Sequence, residues 1–194
     1  MNSKRSSFLF AAASFLILTA QVQATIMLQM NLGELTARAD KIFRGTVTDI
    51  REGTIEAGGG ELPMVTYKLR VDELFKGEAT QVKGEKALIE IRMIGSLSHS
   101  KVDENGNLKF SPFRDVPKLS VGSDYLLFTT PESSIGLSTT VGLGQGAFKV
   151  LAVDGARGEF QAVNEFNNAG LGLNGPGPIG YVELSAKIHA LLGQ

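Results

Sequence analysis

The sequence has no cysteine and no tryptophan among its 194 residues, and only two histidines. Without cysteine, disulfide-stapled scaffolds, thiolate zinc sites, cysteine nucleophiles and the usual bacterial lipid anchor are excluded. The lack of tryptophan removes the commonest aromatic residue of sugar-binding platforms. Two histidines are too few for an all-histidine zinc site, although carboxylates could complete one. The fold must therefore be stabilised by packing alone.

An excess of either charge is also absent, since 19 basic residues stand against 20 acidic ones and the formal net charge is −1. Proteins that bind nucleic acid through its phosphates carry a basic patch or a basic composition. The near-neutral balance therefore predicts no nucleic-acid partner. Glycine, by contrast, is frequent at 23 residues, which is typical of chains with many turns and bent strands.

The N-terminus has the three-part layout of a secretory signal peptide. Residues 4 and 5 are basic, an uncharged apolar run follows from Phe8 to Ala20, and Val22 and Ala24 occupy the positions that signal peptidase reads. The apolar run has 13 residues, short of the roughly 20 that cross a bilayer as a helix. Cleavage is therefore predicted between Ala24 and Thr25.

The alternative is an uncleaved anchor, because no charged residue lies between residues 6 and 33. Strongly polar residues interrupt that span and favour cleavage, among them Gln21, Gln23 and Asn31. The prediction is a signal peptide at 1–24 and a single domain at 25–194, exported to the periplasm or the medium and without a membrane span in its mature form.

A short helix is predicted at each end of this domain. The first lies within residues 30–40, where the apolar residues have helical spacing and Asn31 can cap the start. The second lies at 181–192, where four apolar side chains have near-helical spacing: Val182, Ile188, Leu191 and Leu192.

Between the helices the sequence predicts seven or so short strands. The clearest is at 64–77, where apolar residues alternate with polar ones as in a half-buried antiparallel strand. A hairpin tip at 56–62 precedes it, and residues 168–180 are predicted as a loop. The pattern favours a mainly β domain, an antiparallel OB-like Greek-key barrel that is closed or nearly closed. The other predicted strands are at 41–50, 86–95, 120–130, 138–153 and 158–163.

The stretch VGLGQGAF, residues 141–148, places Gly142, Gly144 and Gly146 at alternate positions. A phosphate-binding loop needs a following helix whose N-terminus faces the anion. Here a β-type run follows, so we predict a strand whose three glycines leave one face bare for a close approach of Tyr125 or Phe128. On this interpretation Gln145 points to the opposite face, and no cofactor is bound.

Catalytic and metal-binding motifs are weak. Ser98 and Lys101 have the S-x-x-K spacing of serine β-lactamases, and Ser123-Asp124 and Lys76-Gly77 resemble their other two motifs. The segment lies between strands, whereas those enzymes place the serine and lysine on one helix. We therefore predict no catalytic, cofactor-binding or metal-binding residue. The remaining candidates are interpreted as surface residues: His99, His189 and the segment 103–107, which lacks the spacing of a calcium loop.

Three stretches carry a family resemblance, in this order: ELTARADKIFRGTVTDI, VTYKLRVDELFKGE and VGSDYLLFTTPESSIGLSTTVGLGQGAFKV, with AVNEF after the last. Together they resemble a group of uncharacterised exported bacterial proteins. More distantly they resemble the OB-type barrel of netrin-like and tissue-inhibitor-of-metalloproteinase-like domains. The resemblance covers about residues 34–166 and implies a fold, because its motifs are turn glycines and core apolar residues. The metalloproteinase inhibitors chelate zinc through an N-terminal cysteine, which this chain lacks, so that role is not carried over.

Three functions remain open from the sequence. The first is an exported, non-catalytic binding or interaction module whose partner is another exported or envelope protein. The second is a small hydrolase that uses Ser98 and Lys101. The third is an envelope-associated structural protein that assembles through a sheet edge.

Overall fold

The structure, a computed structural model, describes residues 28–97 and 116–194. It confirms a mainly β fold with one helix near each end of the described chain. No helix in these two ranges is long and apolar enough to cross a membrane. The elements are α1 (Leu32–Arg38), β1 (Lys41–Ala57), β2 (Gly60–Lys76), β3 (Leu88–Ile94), β4 (Asp124–Thr129), a 3-10 turn (Leu143–Gly146), β5 (Ala147–Ala152), β6 (Phe160–Asn164), β7 (Ile179–Gly180) and α2 (Tyr181–Leu192).

The seven strands form one antiparallel sheet in the order β3-β2-β1-β4-β5-β6-β7. The neighbours β4-β1-β2-β3 have the strand order of a Greek key. The sheet is not closed into a barrel, because β3 and β7 each have a strand neighbour on one side only. The predicted OB-like barrel is therefore not confirmed. β7 has only two residues, and non-strand segments contact the outer edge of β3.

The alternation predicted in β2 is confirmed. Val65, Tyr67, Leu69 and Val71 are buried, while the residues between them are exposed or half-buried. The prediction for 120–130 is confirmed as well, since β4 is buried from its second residue onward. A strand that is buried on both faces must lie in the middle of the sheet. This agrees with the position of β4 between β1 and β5.

The core consists of two hydrophobic clusters that share β4. Leu126 and Phe128 belong to the first cluster, which also contains Leu35 of α1 and Leu184 of α2. Tyr125 and Leu127, which alternate with these two residues along β4, belong to the second cluster, which is built mainly from β2 and β3. Because successive side chains of a strand point to opposite faces, the helices cover one face of the sheet while the β1–β2–β3 meander curves around the other.

Both predicted helices are confirmed. The Asn31 side chain accepts a hydrogen bond from the Glu34 N–H and the Glu34 side chain accepts one from the Asn31 N–H, each at 2.9 Å. This is a capping box. In α2 the buried side chains are those of residues 181, 184 and 188, so the prediction that Val182 belongs to the apolar face is wrong. Val182 lies about 100° around the helix from Tyr181 and is 83% exposed.

The connection between β2 and β3 is held to the sheet by an ion pair. Lys86 Nζ lies 2.5 Å from Asp72 Oδ1, and the Thr46 hydroxyl is 3.3 Å from Asp72 Oδ2. Partial burial raises the pKa of Asp72, but the hydrogen bond and charge of Lys86 outweigh it, helped by Thr46 and Arg70. The pKa of Asp72 is therefore lowered from its ordinary value of 3.8.

Replacing Lys86 by methionine should raise the pKa of Asp72 toward 3.8. A carboxyl group whose pKa is lowered in the folded state stabilises the fold at pH values above its ordinary pKa. That stability is lost as the pH falls through the folded-state pKa. The variant should therefore lose stability at neutral pH and little in strong acid. Carboxyl carbon NMR titration of Asp72 measures the shift, with Lys83→Met as the control. An unchanged Asp72 titration in Lys86→Met would contradict the assignment.

Candidate functional site

The glycine-rich stretch is not a strand. Gly142 and Leu143 have φ of 61° and 54°, and residues 143–146 form a 3-10 turn. The prediction of one bare strand face is therefore wrong. The predicted side chains, Tyr125 and Phe128, are not the nearest neighbours of the three glycines; instead, a Cβ on Gly146 would lie 2.4 Å from the Val141 carbonyl oxygen. β5 begins at Ala147, so a strand and not a helix follows the turn.

The turn places the Gln145 side chain in the interior. It does not lie on the opposite face of a strand from the three glycines, as predicted. Its amide oxygen accepts a hydrogen bond from the Met30 N–H at 2.8 Å, and its amide nitrogen donates to the Leu28 carbonyl at 3.0 Å. These two backbone groups lie on one side of the N-terminal segment. The Gln145 amide thus binds the segment as a neighbouring strand would, and it anchors the start of the domain.

Two buried asparagines support this contact. The Asn164 amide donates to the Gln145 carbonyl at 3.0 Å. Asn168 accepts from the Asn164 N–H at 2.9 Å and donates to the carbonyls of Ala162 and Gly177 at 3.0 and 2.8 Å. The Asn168 amide is thus bonded through both its oxygen and its nitrogen, as burial requires. This hydrogen-bond network has a structural role, and it was not predicted from the sequence.

The nearest approach to a catalytic arrangement surrounds Glu73, beside α2. Glu73 accepts hydrogen bonds from Tyr181 at 2.5 Å and from Ser185 at 3.1 Å, and His189 Nε2 lies 3.6 Å from its Oε1. In a serine hydrolase the histidine stands between the serine and the acid. Here Glu73 stands between them, and His189 Nδ1 faces Gln194. The residue types match those of a catalytic triad, but the order of their hydrogen bonds does not activate the serine.

Arg44 continues this polar cluster toward the sheet centre. Its guanidinium carbon lies 4.3 Å from the Tyr181 ring centre and 4.5 Å from that of Phe160, and its nitrogens donate to Asp124 Oδ2 at 2.9 and 2.6 Å. Burial raises the pKa of Tyr181, and Glu73 raises it further, so the phenol is neutral and donates. The cluster ties four elements together, and Asp124 serves this ion pair.

A small bay opens beside the outer edge of β3, and it is the first candidate for binding. It has a volume of about 200 Å³. Its walls come from β3, from the start of β1 and from the segments on either side of them. The charged lining side chains are Lys41, Glu78, Glu90, Arg92 and Glu132, and the hydroxyl-bearing ones are Thr80, Thr129 and Ser138.

The second candidate is the far end of the β1–β2 hairpin. β4 pairs with β1 only as far as Thr46, and β3 pairs with β2 only from Met64 onward. In residues 49–63, called the arm below, β1 has no described strand on its β4 side and β2 has none on its β3 side, where Pro63 accepts a backbone hydrogen bond from Gly95. The predicted hairpin tip is confirmed, since Gly58 and Gly59 form its turn with φ of 61° and 83°, the backbone of a tight two-residue hairpin.

The residues of the motifs considered in the sequence are either spread over the structure or lie outside the described residues. Ser98, His99, Lys101 and the segment 103–107 lie outside the described residues. His189 lies on the rim with 40% of its side chain exposed. Within 28–97 and 116–194, no group of three or more histidines and carboxylates is arranged to hold a metal ion.

Comparison with protein-family models and with curated proteins finds no match to this chain. The resemblance to exported bacterial proteins therefore stays a prediction. Function has to be argued from the geometry of the bay, the arm and the polar cluster.

Proposed function

We propose that this protein is an exported, non-catalytic interaction module that binds another exported or envelope polypeptide along the open strand edges of the arm. The observation that carries the proposal is the extent of the arm. It projects past β4 on one side and past β3 on the other. Export itself rests on the signal-peptide pattern of residues 1–24.

Open strand edges are the basis of this proposal. An unpaired edge presents backbone N–H and C=O groups that can pair with an added strand. A two-stranded hairpin without further neighbours is also only marginally stable in water, so it gains from a partner. Ile55 and Leu62 are half-buried partners across the arm, and a partner strand would cover them further.

The charge of the arm favours a different chain over a second copy. Residues 49–63 contain four acidic side chains and one basic one, Arg51. Arg51 is already paired with Asp49 at 2.7 Å, and Glu56 stands opposite Glu61 at the tip. Like charges on facing strands oppose pairing, so two arms repel each other. Self-assembly, the structural-protein alternative, is therefore disfavoured.

The same proposal keeps the OB-like barrel as the architecture that presents the arm. Its support is the segment that leads from β4 toward β3. The Ser138 N–H donates to the Arg92 carbonyl at 2.8 Å, and the Thr130 N–H donates to the Thr139 carbonyl at 2.8 Å. This segment therefore links the outer edge of β3 to the residue that follows β4, and an OB-type barrel would bring these two regions together.

Site-specific photocrosslinking in the native cells tests the proposal. Benzoylphenylalanine is placed at Thr54 on the arm and, as a control, at Glu183 on the exposed face of α2. We expect a discrete adduct with a different polypeptide from position 54 and none from position 183. The proposal is wrong if position 54 gives no adduct, gives the same adducts as position 183, or gives only the mass of two copies of this chain.

A further inference from the structure

The bay interrupts the outer edge of β3 around Glu90. On one side of the gap, Leu88 exchanges two backbone hydrogen bonds of 2.9 Å with Thr80; on the other, the Arg92 carbonyl accepts from Ser138. Alternate residues of an antiparallel strand direct their backbone groups to the same side. The N–H and C=O of Glu90 therefore face the bay, and none of the described residues pairs with them there.

The size of the bay limits its ligand. Pockets for drug-sized molecules and cofactors have volumes of about 300–1,000 Å³. At about 200 Å³, the bay is smaller than such pockets. It is too short for an added strand, since Thr80 and Ser138 close both ends of the gap. A single long side chain or a small linear molecule fits these limits.

The charges around the bay select the sign of that ligand. Lys41 Nζ lies 3.3 Å from Asp40 and 3.6 Å from Glu132, and Arg92 Nε lies 3.2 Å from Glu90. Each cation therefore has a carboxylate partner. Among the residues that line the bay, three carboxylates (Glu78, Glu90 and Glu132) stand against two cations, and the Glu90 carbonyl adds a further acceptor. An incoming cation finds both an excess of negative charge and hydrogen-bond acceptors.

We propose that the bay binds a guanidinium or ammonium group on a flexible alkyl stem, as found in arginine and lysine side chains and in small free amines. The group displaces water, donates a hydrogen bond to the Glu90 carbonyl and lies among the carboxylates of Glu78, Glu90 and Glu132. Charge-assisted hydrogen bonds of this kind are stronger than neutral ones. The site is separate from the arm, so either proposal can fail while the other stands.

Amide NMR titration of the full domain tests the site. The probes are agmatine, the capped tripeptide acetyl-Gly-Arg-Gly-amide and, as a control of opposite charge, pentanoate. We expect saturable shifts at Glu90, Arg92, Gly136 and Ser138 with the first two probes and none with pentanoate. Tighter binding of the tripeptide indicates a polypeptide ligand, and tighter binding of agmatine indicates a free amine.

A matched pair of variants completes the test. Glu90→Gln should weaken binding of the cationic probes by about fivefold to tenfold, because one charge-assisted contact is lost. Glu159→Gln, which removes a carboxylate far from the bay along the chain, should bind as the wild type does. The spectra show whether each variant is folded. Absent or non-saturable shifts, equal shifts with pentanoate, or unchanged binding in folded Glu90→Gln would each overturn the proposal.

Discussion

Replacing Asn168 by aspartate should lower the free energy of unfolding at neutral pH by on the order of 3–5 kcal/mol. The Asn168 amide nitrogen donates to the carbonyls of Ala162 and Gly177, and the side chain is buried, with 1% exposed. A carboxylate would direct an oxygen at both carbonyls, and each buried group left without its partner costs about 1–3 kcal/mol. Urea denaturation followed by circular dichroism measures the difference.

Asn167→Asp is a closely matched control. Asn167 is adjacent, has a φ of 52° against 59° for Asn168, and is exposed, so the same chemical change should cost little. Acid should partly rescue Asn168→Asp, because burial raises the pKa of the introduced carboxyl and its neutral form can again donate one hydrogen bond. Equal stability losses in the two variants would contradict the role given to the Asn168 amide.

Replacing Gly146 by alanine should have the second large effect, about 1–3 kcal/mol or more. The added Cβ would lie 2.4 Å from the Val141 carbonyl oxygen and 3.2 Å from that of Phe128. Both neighbours are backbone atoms inside the core, so the turn or β4 must move. Thermal unfolding gives the change in melting temperature, and the same experiment applies to the other glycines.

Two further glycines grade this effect. At Gly144 an added Cβ would meet the Glu165 side chain at 2.4 Å, and that exposed side chain can move away, so the loss should be smaller. At Gly60 nothing lies within 4 Å, and alanine should be nearly neutral. A Gly146→Ala variant as stable as Gly60→Ala would show that the turn does not depend on this close approach.

Local patterns predict most of the strands and both helices. The alternation from Val65 to Val71 reflects one buried and one solvated face, which is visible in the sequence without any partner. The Asn31 cap and the helix at 181–192 depend on neighbours within one or two turns. The misplacement of Val182 has the same origin, since helical spacing alone does not say which stripe of α2 meets the sheet.

The glycine-rich turn and the sheet closure could not be predicted in the same way. Leu143 adopts a positive φ that leucine rarely takes, so its local preference opposes the conformation found. The turn depends on the buried hydrogen bonds of Gln145 to residues 28 and 30, which no nearby position reveals. Whether the sheet closes likewise depends on what meets the edge of β3. There the non-strand segment at Ser138 makes the contact and the sheet stays open, and no local signal reveals this tertiary contact.

The polar clusters illustrate the same limit. Glu73 lies 108 positions from Tyr181 and Arg44 lies 80 positions from Asp124 along the chain, so spacing within the sequence could not join them. Sequence motifs instead group residues that are adjacent along the chain, such as Ser123 and Asp124. In the structure Asp124 is the partner of Arg44. The asparagine-rich run at 164–168 was the one available signal, because asparagine favours turns and positive φ.

The hydrogen bond between Met30 and Gln145 also bears on the order of folding. The two residues are 115 positions apart, and contacts between distant parts of a chain form slowly because a long loop must close first. During synthesis the N-terminal segment emerges first, yet the amide that binds it emerges only after β4. The segment must therefore stay undocked while most of the sheet is made. Its docking is a late step of folding, which joins the first described residues to the last third of the chain.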